Sequence, residues 1–291
     1  MSQVTTRQFR ACARRLREHP MTDKRRLAYL RPLLSRGIVI AGLVGSVALL
    51  PVAWIQGSAT RRRVSHLPPA KPPHHGFVPG VGPPIRVLAI GESSISGVGL
   101  SCGDETVAAV TARALTRVTG RPAVWRAYGL SGATVRDALE RLLPRIVPEP
   151  VDLLIIGFGV NDATAYRSPA AFADDLVALV TASRHRVGNA AVVIGGVAPL
   201  GSFPALPWPL RIILGWRSAA LQAAAEQLRG RLPNLVIEKF AVPFAPDLFA
   251  SDGFHPNLKA HRLWGEEIAE LGLPLICSAP AARAPIQRQA V

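Results

Sequence analysis

Between residues 85 and 273 the chain repeats one pattern: a short apolar run, a turn, then an amphipathic stretch. The apolar runs fall at 85–90, 123–127, 151–156, 191–194 and 235–237. Short and rich in Val, Ile and Leu, they read as strands buried on both faces. The spacing predicts helices over 105–119, 134–143, 169–185, 216–231 and 258–271. Asp104 precedes the first of these and Ser168-Pro169 opens the third, as helix starts require. Strand alternating with helix implies right-handed crossovers and a parallel sheet of about five strands, covered by helices on both faces. Functional groups in such an α/β sheet gather at the carboxyl ends of the strands.

On either side of this region the composition changes. Residues 1–84 carry fourteen Lys or Arg against two Asp or Glu, whereas 85–275 carry eighteen against seventeen. The net charge of +15 therefore belongs to the N-terminal end. The globular part is near neutral and lacks the electrostatic footprint of a nucleic-acid binder. A basic segment, 1–37, leads into 18 uncharged residues at 38–55 (IVIAGLVGSVALLPVAWI). As a helix that run reaches about 27 Å, close to a hydrocarbon core. Pro51 and the glycines are tolerated in a membrane span, and Trp54 sits where an interfacial aromatic belongs. The expectation is a single-pass transmembrane helix or signal anchor over 38–56, with the basic flank facing anionic headgroups.

A signal peptide cut after Ala59 and a buried core helix are the competing readings, and Arg61, Arg62 and Arg63 argue against easy export. The Lys and Arg count leans slightly to an inside N-terminus, which places the catalytic domain outside the cytoplasm. Residues 57–84 are rich in Pro and Gly and read as an extended linker. Residues 274–291 read as a disordered tail. Cys12, Cys102 and Cys277 lie far apart, with no metal-ligand spacing, and read as three unpaired thiols.

Four elements carry chemistry. The first run leads straight into Gly91-Glu92-Ser93-Ser94. A serine at the tip of a strand and ahead of a helix is placed as an exposed nucleophile, although Gly-Ser turns are also common after strands. A phosphate loop is excluded, since neither GxxxxGK[ST] nor GxGxxG is present. The second run is followed by Gly129-Leu130-Ser131-Gly132: a tight turn, or one that offers the Gly132 N–H to a developing negative charge. The third ends in Gly159-Val160-Asn161-Asp162, where Asn161 either caps a turn or aims its amide into the same crevice. Last comes Asp252-Gly253-Phe254-His255-Pro256-Asn257, ahead of the final helix. A serine hydroxyl needs a base, and the base needs a group that fixes its tautomer. Asp252 and His255, three apart in a Gly/Pro-bounded loop, meet that need. His185 and His261 fall on predicted helices and are assigned to solvated faces.

The order Ser93, Gly132, Asn161, Asp252, His255, with GxND followed far downstream by DGxHPN, resembles the SGNH/GDSL hydrolase superfamily. The resemblance covers about residues 85–273. It implies a flavodoxin-like three-layer α/β/α sandwich and hydrolysis of carboxylic esters or thioesters through an acyl-serine, without metal or cofactor. It also implies Ser93 as nucleophile, His255 as general base and acid, and Asp252 as the group that orients His255. The oxyanion hole would be the Ser93 N–H, the Gly132 N–H and the Asn161 side chain. One departure is visible. The superfamily usually reads GDS, and this chain reads Gly91-Glu92-Ser93, which should change the hydrogen bonding that holds the nucleophile turn.

Substrate choice points to 197–213 (VAPLGSFPALPWPLRII), apolar and broken by prolines 199, 204, 207 and 209. It is either a loop packed on the core or a lid over an acyl pocket that uses Leu200, Phe203 and Trp208 for substrate binding. The expected partner is a small-molecule ester: lipid-like if an anchor holds the site near a bilayer, or an O-acetyl group on an envelope glycan. Two other functions fit the same residues, acyl transfer and a non-catalytic membrane-anchored binding module. The complete set of five residues argues against the second.

Overall fold

All five apolar runs form strands, and a sixth strand precedes them. In chain order they are β1 (His75–Val78), β2 (Ile85–Gly91), β3 (Ala123–Gly129), β4 (Leu153–Gly157), β5 (Ala191–Ile194) and β6 (Leu235–Ile237). The structure is a computed structural model that describes residues 50–64, 67–240 and 244–278. Its strands form one sheet in the order β1-β3-β2-β4-β5-β6. Strands β2 to β6 are mutually parallel, and β1 runs antiparallel to β3 along the edge. The helices are α1 (Leu50–Val64), α2 (Val107–Thr119), α3 (Val135–Asp137, carried on by a wider turn over Ala138–Leu142), α4 (Val160–Thr164), α5 (Pro169–Val187), α6 (Leu210–Glu226) and α7 (Leu258–Ser278).

The lack of alternation in the strands has a direct cause. Successive side chains point to opposite faces, and here both faces are covered. Leu88, Ile90, Leu154, Ile156, Val192 and Ile194 pack with α3, α5 and α6. Val87, Ala89, Leu153, Ile155 and Val193 pack with α2 and α7 on the other side. Every residue of β4 is buried, and each such Leu or Ile stabilises the fold by about 1.5–3 kcal/mol. A charge at Ile155 would break this central strand. Local signals set the helix ends. The Ser168 hydroxyl accepts from Ala171 N at 3.2 Å, with Pro169 in the first turn of α5. Helix α2 stops at Gly120, whose φ of 71° is left-handed and suits glycine. The three-layer sandwich expected from the sequence is the architecture found.

Three boundaries need correction. Residues 57–84 are not a free linker: α1 runs to Val64, Ala70 is buried, Lys71 bridges to Cys102, and His75–Val78 joins the sheet. An edge strand pairs on one side only, so a four-residue stretch free of proline suffices. The C-terminal helix runs through Pro274 to Ser278, past the expected boundary at 273; residues 279–291 lie outside the described part. Helix α6 begins at Leu210, directly after Pro209, and not at 216.

The expected membrane segment lies mainly outside the described residues, which exclude 38–49. Its end belongs to α1, which carries Arg61, Arg62 and Arg63 in its last turn. No described helix is long and apolar enough to cross a membrane. Instead α1 docks on α6: Gln56 Nε2 donates to Trp208 O at 3.0 Å and its Oε1 accepts from Leu210 N at 3.1 Å.

Candidate active site

Two glycines allow the nucleophile turn to settle on the sheet. A Cβ on Gly91 would lie 2.2 Å from Ile95 Cγ1 and 2.5 Å from Gly157 O. One on Gly129 would lie 2.2 Å from Ser96 N. Within the turn, Ile95 N and Ser96 N donate to Glu92 O at 3.0 and 3.1 Å, and Val98 N donates to Ser93 O at 3.0 Å. The Ser96 hydroxyl also donates to Ser93 O at 2.9 Å. Ser93 is thereby held half-buried at the carboxyl end of β2.

The partner loop is fixed from within. Asp252 Oδ1 accepts from Phe254 N at 2.9 Å and His255 N at 3.0 Å. Its Oδ2 lies 2.6 Å from His255 Nδ1, and His255 Nε2 lies 3.1 Å from Ser93 Oγ. An ionised carboxylate only accepts, so Nδ1 carries the proton and Nε2 turns its lone pair to the serine. Burial pushes the Asp252 carboxyl up, but the hydrogen bonds from the His255 ring and from the Phe254 and His255 backbones outweigh it. The carboxyl ends below its ordinary range. Asn257 ties the loop down: its Nδ2 donates to Asp247 O at 2.8 Å and Phe249 O at 3.1 Å, and its Oδ1 accepts from Ala260 N at 3.1 Å at the start of α7.

Residues Ser93, Asp252 and His255, drawn from loops 162 positions apart, thus form one hydrogen-bonded chain. Gly132 sits at φ 81°, and among the described residues neither its N–H nor that of Ser93 donates elsewhere. Asn161 departs from expectation. Its Nδ2 donates to Glu92 Oε2 at 2.6 Å and to Ala133 O at 3.1 Å, so both amide hydrogens are engaged. The cause is Glu92, one methylene longer than the usual aspartate. It is buried and also accepts from Asn161 N at 3.0 Å and Val160 N at 3.1 Å. Burial raises its pKa to about 8, with Asp162 adding to the rise and the three N–H donors opposing it.

The expected pocket residues separate. Phe203 lines a cavity of about 890 Å³, open mouth included, that begins at Ser93 and His255. Leu200 is fully buried in the core, where the turn Leu200–Ser202 points it inward. Trp208 is 70% exposed beside cis-Pro209. Neither reaches the cavity. Its other walls went unforeseen: Phe240, Phe244, Phe249, Phe254, Trp264 and Glu238. Glu238 directly follows β6, so the rule about carboxyl ends of strands could have found it. His185 is exposed as expected, but His261 is fully buried. It shares the i, i+4, i+7 face of α7 with Gly265 and Ile268, and burial lowers its pKa to about 4.

The chain is similar to several known proteins. Est24, a carbohydrate acetylesterase from Sinorhizobium meliloti, is 22% identical with a TM-score of 0.47, over 66% of this chain and 99% of that one. A carbohydrate esterase family 2 enzyme from Corynascus thermopiles (Myceliophthora fergusii) is 18% identical with a TM-score of 0.54, over 68% of this chain and 69% of that one; it shares the fold. GDSL-like esterase Rv1075c of Mycobacterium tuberculosis is 30% identical over 188 residues, which span 62% of this chain and 59% of that protein. The sequence model of the GDSL-like lipase/acylhydrolase family matches residues 89–263, from within β2 through the first turns of α7. That stretch holds every residue of the Ser93–His255–Asp252 chain and most of the sheet, and the protein belongs to the GDSL-like lipase/acylhydrolase family.

Proposed function

We propose that this protein hydrolyses carboxylic esters through an acyl-serine intermediate. The observation that carries the reading is the unbroken chain from Ser93 Oγ to His255 to Asp252, opening on an apolar cavity. His255 Nε2 takes the Ser93 proton as Oγ attacks the ester carbonyl. Asp252, ionised and held by three donors, stabilises the imidazolium that forms. The Ser93 and Gly132 N–H groups receive the oxyanion, and Asn161 joins them when its amide turns from Glu92. His255 returns the proton to the leaving alcohol, and water then releases the acyl group by the reverse proton path.

The apolar, aromatic lining of this cavity favours esters with a bulky apolar portion over bare acetates. The test is turnover of p-nitrophenyl esters from acetyl to palmitoyl by the full chain and by its Ser93→Ala variant. Turnover lost in the variant, with an optimum beyond acetyl, supports the reading; equal rates in both proteins overturn it. We also propose that the N-terminal part holds the enzyme at a membrane, outside the cytoplasm. The uncharged run at 38–55 and its basic flank support this. Recovery of the full chain in a salt-washed soluble fraction would refute it.

A further inference from the structure

The cavity beside Ser93 has a character that ester hydrolysis alone does not require. Six of the chain's nine phenylalanines line it, together with Trp264. The rings pack edge to face: Phe203 lies 5.0 Å from Phe249 and 5.1 Å from Phe254, and Phe240 lies 5.0 Å from Phe244. Three carboxyl side chains, Glu92, Glu238 and Glu267, open on the same space, and among its described lining residues there is no Lys or Arg.

Glu92 holds the Asn161 loop. Glu238 has no such duty. Its Oε2 accepts from Gly196 N at 3.0 Å and Trp264 Nε1 at 2.8 Å. Its Oε1 has no partner among the described residues, although the residue is wholly buried. An unmet buried polar atom costs about 1–3 kcal/mol, and the acyl transfer steps do not use it.

We propose that this cavity binds a cationic group: the substrate is an ester whose non-reacting portion carries an ammonium or quaternary ammonium centre, seated among the aromatic rings with Glu238 as its counter-ion. This rests on the esterase reading. Aromatic faces attract a cation through their quadrupole, most strongly where water is excluded, and a carboxylate completes the charge balance. An anionic group would meet three carboxyls and no Lys or Arg. A plain alkyl chain would fill the space and leave the Glu238 oxygen unmet.

Protonation supplies a second signature. Burial, with Glu267 adding to it, raises the Glu238 pKa to about 8. Glu92, Glu267 and His255 are the other titratable groups on the cavity. A bound cation favours the ionised form, so its affinity rises as pH climbs from 6 towards 8, whereas that of a neutral ligand does not.

The experiment uses the full chain with two alcohols of the same shape, choline and the uncharged 3,3-dimethylbutan-1-ol. Calorimetry measures their binding, and inhibition of p-nitrophenyl ester turnover is recorded beside it. Choline is expected to bind at least tenfold tighter at pH 8, by a margin that narrows at pH 6 and collapses in Glu238→Gln. Equal or tighter binding of the neutral alcohol by the wild type at pH 8 would overturn the proposal, and so would an undiminished margin in a folded Glu238→Gln. The wild-type comparison decides even if that variant fails to fold. Preference for choline without any ester turnover would sink the esterase reading and leave the cation site standing.

Discussion

The contact between Glu92 and Asn161 should write itself into the pH profile. Asn161 must give an amide hydrogen to the oxyanion, and in the resting structure Glu92 Oε2 holds one at 2.6 Å. How tightly it holds depends on charge. Below its raised pKa of about 8 Glu92 is protonated and a weak acceptor. Above it, Glu92 is a carboxylate with a charge-assisted grip. A hydrogen bond to a charged group is worth about 1.5–3 kcal/mol against about 0.5–1.5 for a neutral one. The difference, about 1–1.5 kcal/mol, corresponds to roughly a tenfold change in rate. We therefore expect kcat to fall about tenfold between pH 7 and pH 9.5, with a midpoint near 8 and little change in KM.

The assay is initial-rate hydrolysis of p-nitrophenyl butyrate across that range, for the wild type, Glu92→Gln and Glu238→Gln. Glu92→Gln should flatten the alkaline fall, because glutamine does not titrate. Glu238→Gln should keep it, because Glu238 does not touch Asn161. A wild-type profile flat through pH 9.5, or a Glu92→Gln profile with the same fall, would refute the reasoning. Asp162, also buried and raised to about 6, is ionised before this range begins and contributes no step within it.

Other expectations concern the triad, the nucleophile turn and stability. Asp252→Asn should leave the fold intact and lower kcat by roughly 10⁴, since asparagine cannot hold the same tautomer of His255; circular dichroism beside turnover checks both. Gly129→Ala puts a Cβ 2.2 Å from Ser96 N, which should cost about 1–3 kcal/mol in urea denaturation and depress kcat by displacing the turn. Stability should peak at about pH 4.5, because above it the two buried glutamates lose stability faster than His261 gains it. Glu92 and Glu238, both raised to about 8, contribute stability that is full below about 4.5 and is lost as pH rises through 8. His261, lowered to about 4, contributes stability present above 6.5 and lost as pH falls through 4. Melting temperatures from about pH 3 to 9 test the peak, and Glu238→Gln should soften the decline above it.

What could be read from the sequence followed from periodicity and from local loops. The five parallel strands showed as continuous apolar runs because both of their faces are buried, and their bounds shifted by at most two residues. Ser93, Asp252 and His255 were legible because each sits beside a strand end or in a Gly/Pro-bounded loop. Strand β1 was missed because its four residues, two of them exposed, show no apolar run and stand among prolines. The cavity was harder still. Its aromatic walls come from position 158, from 203, from 240–254 and from 264, and no local pattern links them. Trp208 shows the converse error: an apolar residue in an apolar segment that the fold leaves 70% exposed. His261 departs from its expected solvated face because its spacing on α7, in line with Gly265 and Ile268, outweighs its polarity.

The strand order explains why chemistry and recognition occupy different ground. Sequential strands β2 and β3 are neighbours, after which the chain crosses back and builds β4, β5 and β6 on the other side of β2. The order reverses at β2, and Ser93 stands at its carboxyl end, the place where open α/β sheets leave a crevice. The proposed oxyanion donors come from the two strands that flank it, Gly132 after β3 and Asn161 after β4. The cavity lies further along, beyond β4, under Gly196 after β5 and Glu238 after β6, with α7 supplying Trp264. A residue on the β5–β6 side touches the reacting carbonyl only through the bound substrate, so its changes should register mainly in KM and in the choice of ester. On the β3 side a residue meets only the transition state and should register in kcat. Once ionised, a buried carboxyl such as Glu238 weakens the fold. This one stands on the recognition side, where a bound cation offsets that cost and the core does not.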